Sequence, residues 1–477
     1  MDKLEGTLQP QEIEALAKTA SVGFGQALAP QLRSGVAAMA KESLDTVVKT
    51  LTFDKQHFVL WNKLNRKSSA SLVDQYILKP GYGAAYQRAS FLEGGSPVES
   101  DSIRFQGLMK KVFYGARRRI TLQATMVQTV QDIVAEYRND MVMQTMREIE
   151  RDLWSGNDMF VDASGFARGQ VADMAEDIMS ISGLISQVRA GENDPRLRSD
   201  DFAGFGAAAS AVADSAASTL QQDDLEADAL AVHQQFGRPK MFLTSPEVLS
   251  AYNKQFYPKE RSQLVAAADR SGFAMKLFDS SVGAIELSAS HFVRPKEDPA
   301  SSSRQVAPQS PLAPSISLSA GAAPSGAPGL AAATYFYRVA SVNIHGEGLP
   351  SAASSQAATA GQAITVAITA PGSGPTPRAY AVYRGSSASN CKFVGYIKAN
   401  MAGAASFVDN GSISPGLSKG LMADLDPQVS EIIFLGNEMN QNNLAEIQLS
   451  KELICFSFLN LIVYQPAKMR VRDNIAK

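Results

Sequence analysis

Two cysteines and four histidines among 477 residues leave little material for metal or redox chemistry. Cys391 and Cys455 fall in segments of different character, so they support neither a disulfide framework nor a zinc spacing. His57, His233, His291 and His345 are far apart along the chain, with no HExxH pair. There is no GxxxxGK[ST] loop and no GxSxG elbow, and "GYGAAY" at Gly81 stops short of GxGxxG. Catalytic, cofactor-binding and metal-binding residues are therefore not expected. No charge of one sign prevails either: 45 basic side chains meet 47 acidic ones, a net charge of -2, so no global field draws the chain to nucleic acid or an anionic membrane. The most apolar window, Leu453 to Tyr464 (LICFSFLNLIVY), is shorter than the ~20 residues of a membrane helix and is interrupted by Ser457 and Asn460. It reads as a buried strand. The start, MDKLEGTLQPQEIEAL, carries Asp2, Glu5, Glu12 and Glu14 where a secretory signal needs a basic start and an apolar run, so synthesis in a reducing cytoplasm is expected.

What is present is organised. A hydrophobic content of 45% supplies real cores, and the length suits roughly three domains. Residues 1–50 have weak helical patterns and few large apolar groups, which reads as an arm that packs on a neighbour. Aromatic and basic residues dominate from Leu51 to Ile120. There Gly94, Gly95 and Pro97 break any helix, while Ile103, Phe105, Val112 and Tyr114 fit extended strands around Gly107. The expectation is a long β-hairpin over about 88–120. Its first part carries Glu93, Glu99 and Asp101, and its second Arg104, Lys110, Lys111, Arg117, Arg118 and Arg119. These nine residues are the predicted inter-subunit contacts. On a strand, Arg117 and Arg119 share one face and Arg118 takes the other, which favours carboxylate partners over a phosphate patch.

Between Thr125 and Trp154, the residues Val130, Val134, Tyr137, Met141, Val142, Met146, Ile149 and Leu153 recur at three- and four-residue steps. The spacing predicts one helix over about 125–155, stopped by Ser155-Gly156-Asn157. A second helix is expected from Asp223 to Phe236, with Leu225, Ala229, Val232 and Phe236 on its stripe and Gly237 at its end. Then follow the strand "KMFLT" and a helix capped by Ser245 with Pro246 in its first turn, a compact α+β layer within about 170–290.

Composition then shifts. Seven prolines lie between Arg294 and Leu330, and from Gln305 to Ser418 only seven of 114 residues are charged, against 19% of the whole chain. Strands alternate at Tyr335–Val339, Ile364–Ile368, Tyr380–Val382, Phe393–Ile397 and Phe407, with Gly, Pro, Ser and Asn between them. Residues 301–418 thus read as linker and all-β sandwich. After Leu417 the earlier composition returns, and its two strand runs cannot bury both faces alone. Residues 419–477 are expected to complete the sheet begun within 51–300.

This order of elements, with "MVMQTMREIERDLWSGND" ending the long helix and "YQPAKMRVRD" near the end, resembles the major capsid proteins of tailed bacteriophages. The fold implied is the α+β Hong Kong 97-type capsid fold, shared with herpesvirus capsids and encapsulins. The resemblance implies an N-terminal arm, an extended loop, a spine helix, and peripheral and axial domains. "TYFYRVASVNIHGEG", "AYAVYRG" and "SFVDNG" resemble fibronectin type III or immunoglobulin-like modules inserted in phage structural proteins. The family implies a non-enzymatic subunit that forms hexamers and pentamers of an icosahedral shell around double-stranded DNA. It further implies scaffold, portal and decoration proteins as partners, assembly in the host cytoplasm and a place in the virion. Alternatives are an encapsulin-like compartment, or a surface protein whose sandwich makes weak contact with glycans.

Overall fold

A computed structural model of the chain describes residues 54–79, 81, 90–96, 104–121, 133–156, 181–192, 212–256, 276–293, 309–325, 327–343, 346–399, 403–444 and 450–477. The arm at 1–50 lies outside these residues. The helices are α1 (Val59–Lys63), α2 (Ile133–Ser155), α3 (Leu184–Glu192), α4 (Gln222–Gln234) and α5 (Pro246–Lys254). The strands of the first half are β1 (Asn65–Ser69), β2 (Val73–Leu78), β3 (Phe105–Lys110), β4 (Val112–Thr121), β5 (Val212–Asp214), β6 (Met241–Thr244), β7 (Leu277–Ser280) and β8 (Gly283–Ala289). Then come β9 (Ser315–Ala322), β10 (Ala333–Asn343), β11 (Gly346–Pro350), β12 (Ser354–Ala358), β13 (Gln362–Thr369), β14 (Ala379–Gly385), β15 (Cys391–Lys398) and β16 (Ala405–Asp409). The last are β17 (Ser418–Ala423), β18 (Ser430–Leu435), β19 (Asn440–Asn443), β20 (Ser450–Val463) and β21 (Met469–Ile475).

The 23 residues of α2 extend ~35 Å at 1.5 Å per residue. Its apolar stripe buries Met141, Ile149 and Leu153 completely. The helix stops because Gly156 lies in a tight corner, where an added Cβ would stand 2.3 Å from the Ile181 carbonyl oxygen and 2.4 Å from that of Asp152. The N-terminal half of α2 packs on β4 and β20 through Met141, Ala116, Ile120, Leu453 and Cys455. Its other half joins Trp61, Leu184, Leu243, Phe434 and Leu461 in the main core.

Two sheets share that core. One has the order β1-β18-β20-β19, with β4 on the free side of β20; β1 is parallel to β18 and the other pairings are antiparallel. The other has the order β5-β21-β17-β6-β8-β7. In both, strands from after residue 417 sit between strands from before residue 290. The second sheet also buries Phe242, Ile285 and Met422 on its opposite face, under Leu225, Val232, Val248 and Tyr252 of α4 and α5.

Between these segments, the sheets β11-β10-β14-β15 (with β12 on β10) and β16-β13-β9 enclose Tyr337, Val339, Ile364, Val366, Tyr380 and Val382. Arg384 and Tyr337 both donate to Asp409, the first at 2.6 Å and the second at 2.9 Å, which satisfies a buried charge within this core. The far face of the larger sheet is buried as well, at Ala340, Ala379, Ala381, Tyr383 and Cys391. Glu347 and Tyr396 of this region interact electrostatically with Arg151 of α2.

Three local expectations need correction. Gly107 is not at a turn: it lies inside β3, which pairs with β2. Glycine stands there because the Tyr76 ring opposite occupies the space of a side chain, with an added Cβ only 2.2 Å from Cζ. Phe236 is not on the buried stripe of α4. It takes the left-handed conformation at φ 60 and is 59% exposed, while the Gly237 N–H closes the helix on the Val232 carbonyl at 3.0 Å. Ser245 starts α5 without a side-chain cap, its hydroxyl instead lying 3.0 Å from that of Ser418.

Candidate intersubunit surface

The β2/β3 ribbon is a two-stranded element, which alone is marginal in water. It is held at its root by a buried ion pair. Lys111 Nζ donates to Asp74 Oδ1 at 2.8 Å and Oδ2 at 2.7 Å, and Ser69 Oγ donates to the same Oδ1 at 2.8 Å. Lys111, read as an inter-subunit contact, is thus used inside the chain: it shares the parity of the outward Arg117 but stands in the break between β3 and β4, where its side chain is free to reach Asp74. Away from this root the ribbon presents Ile77, 72% exposed.

The remaining predicted contacts divide. Glu99 and Asp101 lie outside the described residues. Glu93 and Arg104 are exposed, and Lys110 is half-buried. Arg117 is paired with the buried Glu452 of β20, and Arg119 Nε donates to Ser450 Oγ at 2.8 Å. Arg118 points to the other face and meets Gln144 of α2 at 3.0 Å. Of the acidic part only Glu93 is described, and it lies outside any strand.

Around Glu93 the chain makes a tight turn. The Gly95 N–H donates to the Leu92 carbonyl at 2.9 Å, and Gly94 has φ 81. Glycine in the third place is what a type II turn requires. The turn presents Phe91 at 59% and Leu92 at 85% exposure.

The register of the β1-β18-β20 sheet places Lys67, Ile433 and Asn460 in one row and Glu431 with Ile462 in the next. Their neighbours Ile432, Phe434, Leu459 and Leu461 belong to the core, so these rows form the opposite face. Over them lies an open groove of about 1220 Å³, floored by Ile433, Ile462 and Tyr464 and walled by the ribbon on one side and Gln235–Phe236 on the other. The same face continues to an aromatic cluster in which Phe113, 57% exposed, meets Phe458 edge-on at 4.8 Å. Asn460, on this face between Phe458 and Ile462, has a buried amide nitrogen without a partner among the described residues. Tyr76 and Tyr464 pack edge to face at 5.2 Å at the foot of the ribbon.

Sequence reading did not find this groove. Its walls come from segments about 30 to 390 residues apart, and the one local signal was a bulky residue directly before the helix-ending Gly237.

The end of α2 carries two perturbed carboxylates. Glu150 is fully buried and accepts from the N–H groups of Leu60 at 2.8 Å and Trp61 at 2.9 Å, capping α1 from outside. Burial pushes it up to about 7, against the lowering effect of those N–H donors. Burial likewise raises Asp152 to about 7 despite the hydroxyl of Tyr114, which donates to it at 2.7 Å while accepting from Ile181 N at 3.1 Å. Both act as joints between helix and sheet. His57 and His291 come together at 5.7 Å between ring centroids, although far apart in sequence. No cluster of three metal-ligating side chains occurs among the described residues, and no described helix is long and apolar enough to cross a membrane.

No family model matches the chain, and no curated protein matches it. Similar solved structures include the holo-SrpI encapsulin complex from Synechococcus elongatus PCC 7942, at 10% identity over 94% of this chain and 96% of that one, with a TM-score of 0.43. The capsid of cyanophage P-SCSP1u is similar at 8% identity over 94% of this chain and 97% of that one, with a TM-score of 0.47. The capsid of a native GTA particle is similar at 10% identity, over 94% of this chain and 100% of that one, with a TM-score of 0.40.

Proposed function

We propose that this chain is the self-associating subunit of a closed shell, the major capsid protein of a tailed phage, enclosing double-stranded DNA. The observation that carries the reading is the pair of unlike apolar surfaces on one chain, the turn with Phe91 and Leu92, and the groove and aromatic face of the sheet, whose ribbon wall presents Ile77. Two different patches on one subunit make a head-to-tail contact, which closes into rings when the rotation allows. The support is geometric, together with the element order already read from the sequence.

In this reading, residues 310–411 are an inserted immunoglobulin- or fibronectin-like domain projecting from the shell. The strand ends support it. β8 and β17 flank β6, with Ser290 N donating to the Thr244 carbonyl and Thr244 Oγ1 to the Lys419 carbonyl. The chain thus leaves and returns at one end of β6, about two strand spacings or ~10 Å apart. A gap that short is what an inserted domain needs.

Expression of the chain, with a scaffold where one is required, should give capsomers or closed particles in negative-stain micrographs. A folded monomer under all assembly conditions would sink the proposal. Nucleic acid as cargo in particles from infected cells, against a packaged enzyme, separates the phage reading from a compartment shell.

A further inference from the structure

We infer that the groove on the outer face of the β1-β18-β20 sheet is the socket for a second copy of this chain, which inserts its Phe91-Leu92-Glu93 turn. The inference rests on the shell-subunit reading and names the contact it uses.

Size speaks first. At about 1220 Å³ the groove exceeds the ~300–1,000 Å³ usual for small-molecule pockets, and it is open along one side, as a site for a chain segment must be. Ile433 and Ile462 beneath it are already buried, and the apolar side chains that the groove presents are Ile77, at 72% exposure, and Phe236, at 59%, beside the half-buried Tyr464; these ask for apolar side chains. The same chain carries two such side chains with nowhere to put them, because Leu92 and Phe91 project from a tight turn at 85% and 59% exposure. A leucine that exposed gains from burial in any partner that offers a fitted apolar floor.

Charge narrows the occupant. Both groove carboxylates are engaged, Asp74 by Lys111 and Glu431 by the Tyr464 hydroxyl at 3.2 Å. Lys67 and Lys468, which line the same groove, have no acidic partner among the described residues. The segment that fits is therefore apolar with an acidic end, and Phe91-Leu92-Glu93 has that order. Phe236 supports the assignment. It holds a left-handed backbone that a bulky residue adopts only at a cost, and thereby offers its ring to the groove.

The test uses the full chain under whatever conditions assemble the natural sequence. Replacing both Phe91 and Leu92 by Asp should leave circular dichroism and the thermal melt of the unassembled subunit unchanged, since both side chains are exposed. Particle yield should fall at least tenfold. Glu93→Lys should lower yield similarly, and Lys468→Glu added to it should restore assembly. For a direct readout, Leu92→Cys and Phe236→Cys chains with different tags are mixed, assembled and oxidised; a disulfide between the two tags is expected. Normal yield from the double Asp variant overturns this contact and leaves the shell reading intact. So does a disulfide that forms only within one chain when both cysteines are placed on it. A natural chain that never assembles overturns both readings together.

Discussion

Glu150 on α2 and Leu60 at the start of α1 are 90 residues apart in sequence and joined by a hydrogen bond of 2.8 Å from the Leu60 N–H to Oε1. The pair fastens a short helix with no side-chain cap of its own to the longest described helix in the chain. It also gives the fold a pH dependence.

Glu150 is raised from 4.5 to about 7 by burial, so between those values the folded state keeps a proton that the unfolded state has lost. The contribution is present at low pH and is lost as pH rises through 7. Urea midpoints of the unassembled subunit should fall between pH 5 and pH 8, with roughly 3 kcal/mol as the upper size of this one contribution. Asp152, also raised to about 7, adds to the fall in the same window, so Glu150→Gln should reduce that slope without abolishing it. An unchanged slope in the variant would show that Glu150 does not titrate in this range.

Removing one member of the Lys111–Asp74 pair strands the other charge in a buried place. Lys111→Ala is expected to cost about 3–5 kcal/mol, whereas Lys111→Met combined with Asp74→Leu should recover most of it. Equilibrium unfolding of the three variants decides. A loss below about 1 kcal/mol in the single variant would mean that the ribbon root is hydrated.

Arg117 and Arg119 share a strand face but differ in what depends on them. Arg117→Ala leaves the buried Glu452 without its cation and should cost about 1–3 kcal/mol. Arg119→Glu gives up a bond to Ser450 and should change stability by about 1 kcal/mol or less, while lowering particle yield if that face meets a neighbour. Full assembly by a stable Arg119→Glu chain would remove this arginine from the interface.

Deleting residues 310–411 and bridging the ends with about six Gly and Ser residues should give a soluble chain that still assembles, because the strand ends lie ~10 Å apart and such a linker spans that distance. The excised segment should melt cooperatively with strand-rich circular dichroism, on the strength of its own core around Tyr337, Val366 and Tyr380. The buried far face of its larger sheet sets a second expectation: the deleted chain melts at a lower temperature than the natural one. Insolubility of both pieces would show that the two cores are one folding unit.

Much of the secondary structure was determined by the sequence alone. The three- and four-residue recurrence of α2, the alternation of β10 and β13, the apolar run of β20 and the low charge of residues 305–418 are local patterns, and each reports directly which side of an element avoids water. Tertiary structure decided which elements meet. Nothing near Gly107 says that its neighbour is Tyr76, since strand pairing depends on which edge is free once the chain has collapsed. The same holds for charge. Arg117 and Lys111 read as interfacial groups, and their partners Glu452 and Asp74 lie 335 and 37 residues away; Glu150 was not singled out, and its partner, the Leu60 N–H, is 90 residues away. The groove follows suit: its floor is strand, its walls are a ribbon and a helix end, and only folding brings them to one place.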